Sequence, residues 1–105
     1  MRVTTFNSEA FCGYKQITTF FADFGIAEHF GRSAIKDTFN LAFAEWRSDY
    51  RYLTELVMVL NWKSWEHADN PSLSQLYADL FYKAREWALD NLEGEELRYF
   101  IRTTD

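Results

Sequence analysis

The chain has 105 residues, a net charge of −5, 48% apolar and 26% charged residues. This is the size and balance of one globular domain, and it excludes a disordered tail, a collagen-like repeat and a low-complexity linker. The acidic surplus repels phosphate backbones unless basic residues gather on one side.

Glycine and proline are scarce, with four Gly and one Pro, which favours helices over the many turns of an all-β domain. Residues 1–16 are the least regular part and read as an N-terminal arm, with turn material at Asn7-Ser8-Glu9 and Gly13. The domain proper is expected over 17–105. Apolar residues at Ile17, Phe20, Phe21 and Phe24 follow the spacing of a helix face. Gly25 is expected to end or bend that helix, and Ile26–Phe30 to add one further turn closed by Gly31, giving a broken helix over about 17–30.

Ser33 is the expected N-cap of the next helix, about 33–48, whose stripe is Ile35, Phe39, Ala42, Phe43 and Trp46, with Leu41 off it. Ser48-Asp49 opens a helix over about 49–68. Leu53, Leu56, Val57 and Leu60 form one stripe and Met58, Trp62 and Trp65 a second, so this helix is expected at the centre. Asp69-Asn70-Pro71 breaks it, Asn70 caps the next helix, and Pro71 takes its first position. That helix, about 71–92, carries Leu73, Leu76, Tyr77, Leu80, Ala84, Trp87 and Ala88 on one side. Beyond Gly94, a short helix over about 95–102 has Glu95 and Glu96 in its first turn, where the macrodipole favours acids. The sum is an all-α bundle of three principal helices, with a broken helix before them and a short one after. The short links favour antiparallel neighbours.

The longest apolar run, Leu56-Val57-Met58-Val59-Leu60, falls far short of the ~20 residues of a membrane span. No basic flank precedes an apolar run at the N-terminus, so no signal peptide is expected. The single cysteine, Cys12, forms no intrachain disulfide, which suits the reducing cytoplasm.

No constellation in the sequence carries a recognisable chemistry. Glu28-His29 and Glu66-His67 are adjacent pairs whose side chains diverge by about 100°, so neither is the Glu-x-x-His of a metal-binding bundle. Cys12 lacks a nucleophile signature, no Gly-x-Ser-x-Gly occurs, and no glycine-rich phosphate loop is present. No catalytic, metal or cofactor residue is therefore assigned, and no small-molecule ligand is inferred.

The anomaly is aromatic: ten Phe, six Tyr and four Trp, or 19% of the chain. Phe39, Phe43, Trp46, Tyr77 and Trp87 fit core stripes. Tyr50, Tyr52, Trp62, Trp65, Phe81, Tyr82 and Tyr99 do not all fit one interior. The plain reading places Tyr and Trp at the boundary with their polar tips wet. The sharper reading is an interface, since Trp, Tyr and Arg dominate binding hot spots. On that reading Trp62, Trp65, Tyr50 and Arg51 form a contact patch for a protein partner or a second copy.

Three segments carry a resemblance: Phe20-Phe21-Ala22-Asp23-Phe24-Gly25-Ile26-Ala27-Glu28, Ala34-Ile35-Lys36-Asp37-Thr38 and Tyr52-Leu53-Thr54-Glu55-Leu56-Val57-Met58-Val59-Leu60-Asn61. With Gly94-Glu95-Glu96-Leu97 and Arg102-Thr103-Thr104-Asp105, they resemble a group of small uncharacterised helical proteins carried by phages and mobile elements of gut bacteria. The resemblance covers about 17–105. It implies a small cytoplasmic accessory protein and brings no activity or site residues with it.

The expected function is thus a non-enzymatic protein–protein interaction or accessory module. Two alternatives stay open. One is a nucleic-acid-binding protein using Arg47, Arg51 and Lys63, against which the net charge argues. The other is an enzyme with an unrecognised carboxylate or histidine site. An acidic mimic of DNA is a thinner idea, because −5 is a small charge for 105 residues.

Overall fold

A computed structural model describes the backbone of residues 14–105 and side chains from Phe20 onward. Five helices follow one another: α1 (Tyr14–Glu28), α2 (Arg32–Trp46), α3 (Tyr50–Glu66), α4 (Pro71–Asn91) and α5 (Gly94–Thr104). There is no strand among the described residues. The protein is the all-α bundle that the sequence periodicity predicts. Most of the expected N-terminal arm, with Cys12, lies outside the described residues.

The apolar run in α3 determines the layout. Leu53, Leu56, Val57, Val59 and Leu60 are all fully enclosed. A helix apolar around most of its circumference needs neighbours on several sides, and α3 packs against all four other helices, most extensively against α4. Tyr52 is also fully buried, stacked on Trp46 with ring centroids 5.0 Å apart. It thus belongs to the core and not to the surplus of boundary rings.

Caps follow residue chemistry in two places. Asp49 accepts a hydrogen bond from the Arg51 amide at 3.0 Å, and Asn70 accepts one from Leu73 at 3.3 Å, with Pro71 at the first position of α4. Each occupies an amide that the helix start leaves without a partner.

Two local expectations need correction. Ser33 is not the N-cap of α2; Gly31 is, at φ 107°, a conformation that side-chain-bearing residues rarely adopt. Nor is the N-terminal helix broken. It starts at Tyr14, inside the expected arm, and passes through Gly25 without interruption. Helix on both sides of Gly25, anchored by buried Phe24 and Ala27, outweighs one residue's poor propensity.

Two measurements follow from this packing. A Cβ at Gly25 would meet nothing within 4 Å, so Gly25→Ala is expected to stabilise the protein by about 0.5–1 kcal/mol in urea denaturation. Leu56→Ala, at the enclosed centre of α3, is expected to cost about 2–5 kcal/mol in the same assay.

Candidate functional site

The four residues proposed as a contact patch do not form one surface. Trp62 and Trp65 stand exposed near the C-terminal end of α3, Trp65 at 72%. Tyr50 and Arg51 lie at its N-terminal end, half-buried, roughly 16 Å or more away along the axis at ~1.5 Å per residue. Tyr50 meets Tyr99 edge-on at 5.3 Å, and the Arg51 guanidinium lies 5.8 Å from the Tyr50 ring centre. Trp62 stacks on Phe21 of α1 at 5.7 Å. Trp65 instead flanks a shallow cleft of about 290 Å³ between α3 and α4, with Phe81 and Tyr82 on the other side.

A larger apolar feature lies on the α1–α2 hairpin. Its two helices turn at His29-Phe30-Gly31, and Phe20 meets Trp46 edge-on at 5.0 Å where their far ends come back together. One side of the hairpin, with Phe24, Ala27, Ile35 and Phe39, enters the core. On the outer side, down to the backs of those core residues, the two helices leave a groove of about 460 Å³. Buried Phe20, Phe24, Ala27 and Ala42 make its floor, while Phe30, Leu41 and Ile26 rise from it with 77%, 73% and 60% of their surface in water. Among the described residues, the ionisable groups lining it are Asp23 and Glu45, both acidic. Partial burial raises the Asp23 carboxyl above its ordinary pKa, because desolvation disfavours the charged form.

A polar cluster fastens the base of that hairpin. Lys63 of α3 is a lysine in the interior, its side chain 4% exposed. Its ammonium lies 2.9 Å from Glu28 Oε2 on α1 and 3.0 Å from Glu66 Oε2. It also lies 5.6 and 5.8 Å from the ring centres of Phe21 and Tyr77. Glu28 Oε2 accepts a second hydrogen bond from the Tyr77 hydroxyl at 2.5 Å. Its third partner is His67 Nε2, at 3.0 Å. An ionised carboxylate can only accept, so Nε2 is the donor in this hydrogen bond. The imidazole lies nearly parallel to the Tyr77 ring, 5.8 Å away.

Burial by itself would raise the Glu28 pKa. Hydrogen bonds from Tyr77, Lys63 and His67, with the ammonium's charge, outweigh it and hold the carboxyl below its ordinary range. Tyr77 moves the other way. Burial, then the hydrogen bond to Glu28 and the charges of Glu28 and Glu66, hold the proton on its phenol well above the usual tyrosine range. Glu28, Glu66 and His67 bring ligand-type atoms within 4.8 Å of one another. The Lys63 ammonium already stands between the two carboxylates and supplies the cation they need. The arrangement ties α1, α3 and α4 together.

This cluster also changes the reading of two residues. Lys63 is not available to a basic face with Arg47 and Arg51. His67, to which the sequence assigns no role, is a partner of Glu28 in another helix. His29 is exposed. Among the described residues, no helix is long and apolar enough to cross a membrane. Comparison of the chain with protein-family models, curated proteins and solved structures finds no match.

Neither feature was assigned from sequence, although signals exist. Lys63 continues the apolar stripe Leu53-Leu56-Leu60 at helical spacing, and Glu28 continues Phe20-Phe21-Phe24. A charged residue on a buried stripe needs a partner on a neighbouring one. The groove was marked by Leu41, off its helix's inward stripe, and by Ile26 and Phe30, one turn apart.

Lys63→Met leaves Glu28 without its ammonium and is expected to cost about 3 kcal/mol, the low end for breaking a buried pair, since Glu28 still touches water. Urea denaturation measures it. The pH dependence has a definite sign. Because Glu28 titrates lower when folded than its ordinary 4.5, its contribution is present above that pH and disappears as pH falls through the folded value. Below about pH 4.5 the wild type is expected to lose stability more steeply than Glu28→Gln.

Proposed function

We propose that this protein is a non-enzymatic interaction module that docks a protein partner in the α1–α2 groove. One observation carries the reading. Three of the chain's exposed large apolar side chains, Ile26, Phe30 and Leu41, converge on a single groove instead of scattering. Isolated exposed apolar residues are normal on any surface, whereas a gathered, concave set marks a place where burial can drive association. Trp65, with Phe81 and Tyr82, offers a smaller second contact on α3 and α4. Tyr50 and Arg51 would contribute only to a partner large enough to span α3.

The absence of catalysis belongs to the same proposal and has chemical support. In the one dense ionisable cluster among the described residues, Lys63 is enclosed and Glu28, Tyr77 and His67 are engaged with one another. A nucleic-acid reading loses its third basic residue with Lys63 inside. A cytoplasmic setting and a mobile-element context are part of the proposal, resting on the lone cysteine and on the resemblance described above.

The test is a displayed random-peptide library selected on the full chain. Leu41 is largely in water, so Leu41→Glu is expected to keep the circular dichroism spectrum and midpoint of the wild type within about 0.5 kcal/mol. Clones that bind the wild type and bind Leu41→Glu at least about tenfold more weakly support the reading. Recovery of no clone that depends on Leu41 would contradict it.

A further inference from the structure

The two walls of the groove have a regular spacing. On the α1 side they are Asp23, Ile26 and Ala27, extended by Phe30 in the turn that follows, at i, i+3, i+4 and i+7; on α2 they are Ala34, Thr38, Leu41, Ala42 and Glu45, at i, i+4, i+7, i+8 and i+11. The α2 set is one face of a helix, and the α1 set is a helix face whose last member, Phe30, stands in the turn, so the groove is a furrow between two rows of side chains. At ~1.5 Å per residue the α2 wall runs for about 16 Å, or three helical turns. Side-chain rows of this pitch accept the rows of another helix. An amphipathic helix laid in such a furrow presents anchors at i, i+3 or i+4, and i+7.

Charge narrows the occupant further. The hairpin brings the start of α1 to the end of α2, as the Phe20–Trp46 contact records. Asp23 and Glu45 therefore lie toward that same end, and among the described residues no basic side chain lines the groove. Asp23 is partly desolvated already, so its carboxylate gains from a cation placed beside it. The turn end, around Phe30 and Ala34, is apolar.

We infer that the α1–α2 groove binds an amphipathic helix of another protein, about three turns long, with bulky apolar residues at i, i+3 or i+4 and i+7 and a lysine or arginine at the end that meets Asp23 and Glu45. This rests on the docking reading above and adds the partner's chemistry to it. The apolar row supplies affinity by burying Ile26, Phe30 and Leu41, while the acidic end fixes which way the helix lies. A basic residue at that end attracts, and an acidic one repels.

The experiment uses a displayed library of helix-favouring peptides about 14 residues long, selected on the full chain. Binding is then measured by fluorescence anisotropy for the wild type, Leu41→Glu and the double variant Asp23→Lys/Glu45→Lys. The three substituted residues are all exposed, and circular dichroism verifies that each variant folds. The expected peptides carry the apolar spacing and a basic residue toward one end. They lose at least about tenfold in affinity for the charge-reversed variant, and peptides with that residue changed to Glu regain it there.

Peptides that depend on Leu41 but show no helical spacing, no basic end or no response to charge reversal would overturn this inference while leaving the docking reading intact. Self-association of the wild type that Leu41→Glu abolishes would assign the groove to a second copy and overturn it too. No Leu41-dependent peptide at all would remove the docking reading itself.

Discussion

The ammonium of Lys63 is the contact on which the seating of α1 against the central helix depends. It lies inside the bundle at 2.9 and 3.0 Å from carboxylates of two different helices. Removing a full charge from water is expensive, and the cost is met here only because Glu28, Glu66 and two aromatic faces surround it. Glu28 in turn takes hydrogen bonds from Tyr77 and His67 on the same oxygen. Apolar contacts could let α1 slide or rotate on α3 at modest cost. A three-way polar lock has essentially one geometry, so it fixes where the C-terminal end of α1 sits on α3 and α4.

That placement accounts for the groove. The α1–α2 hairpin spends Phe24, Ala27, Ile35 and Phe39 on the core, and among the described residues no helix covers its outer side. The helix that could have covered it, α5, packs on α3 and α4 instead. An exposed furrow with a buried aromatic floor is therefore a consequence of how five helices share one central helix. Its walls are held from beneath by the core and at their base by the Lys63 cluster. A preformed furrow needs little ordering before it binds, which lowers the entropic cost of association.

How much of this could be read from the chain differs by element. Periodicity was sufficient for the helices, because apolar spacing in α2, α3 and α4 is what the core requires. The chemistry of Asn70-Pro71 placed the start of α4 correctly. Gly25 misled, because a local propensity of under ~1 kcal/mol was weighed without the tertiary contacts that Phe24 and Ala27 make on either side. The burial of Tyr52 is not legible in its helix's own pattern, because it depends on Trp46 of another helix folding over it. The charge of Lys63 suggests a basic face, whereas its position on the stripe Leu53-Leu56-Leu60 puts it inside. The groove was the least legible feature. It exists only once α1 and α2 lie side by side, and no single helix's pattern contains it. Trp62, Trp65, Tyr50 and Arg51 shared residue chemistry, but the length of α3 separates them.

If the polar lock sets the hairpin, loosening it should free that hairpin before the rest. Hydrogen exchange followed by mass spectrometry on the wild type and Glu28→Gln measures this directly. The account predicts that the amides of α1 around Phe24–Glu28 lose protection in the variant, while the centre of α3, from Leu53 to Leu60, keeps it. Uniform loss across all helices, or unchanged protection in α1, would contradict it.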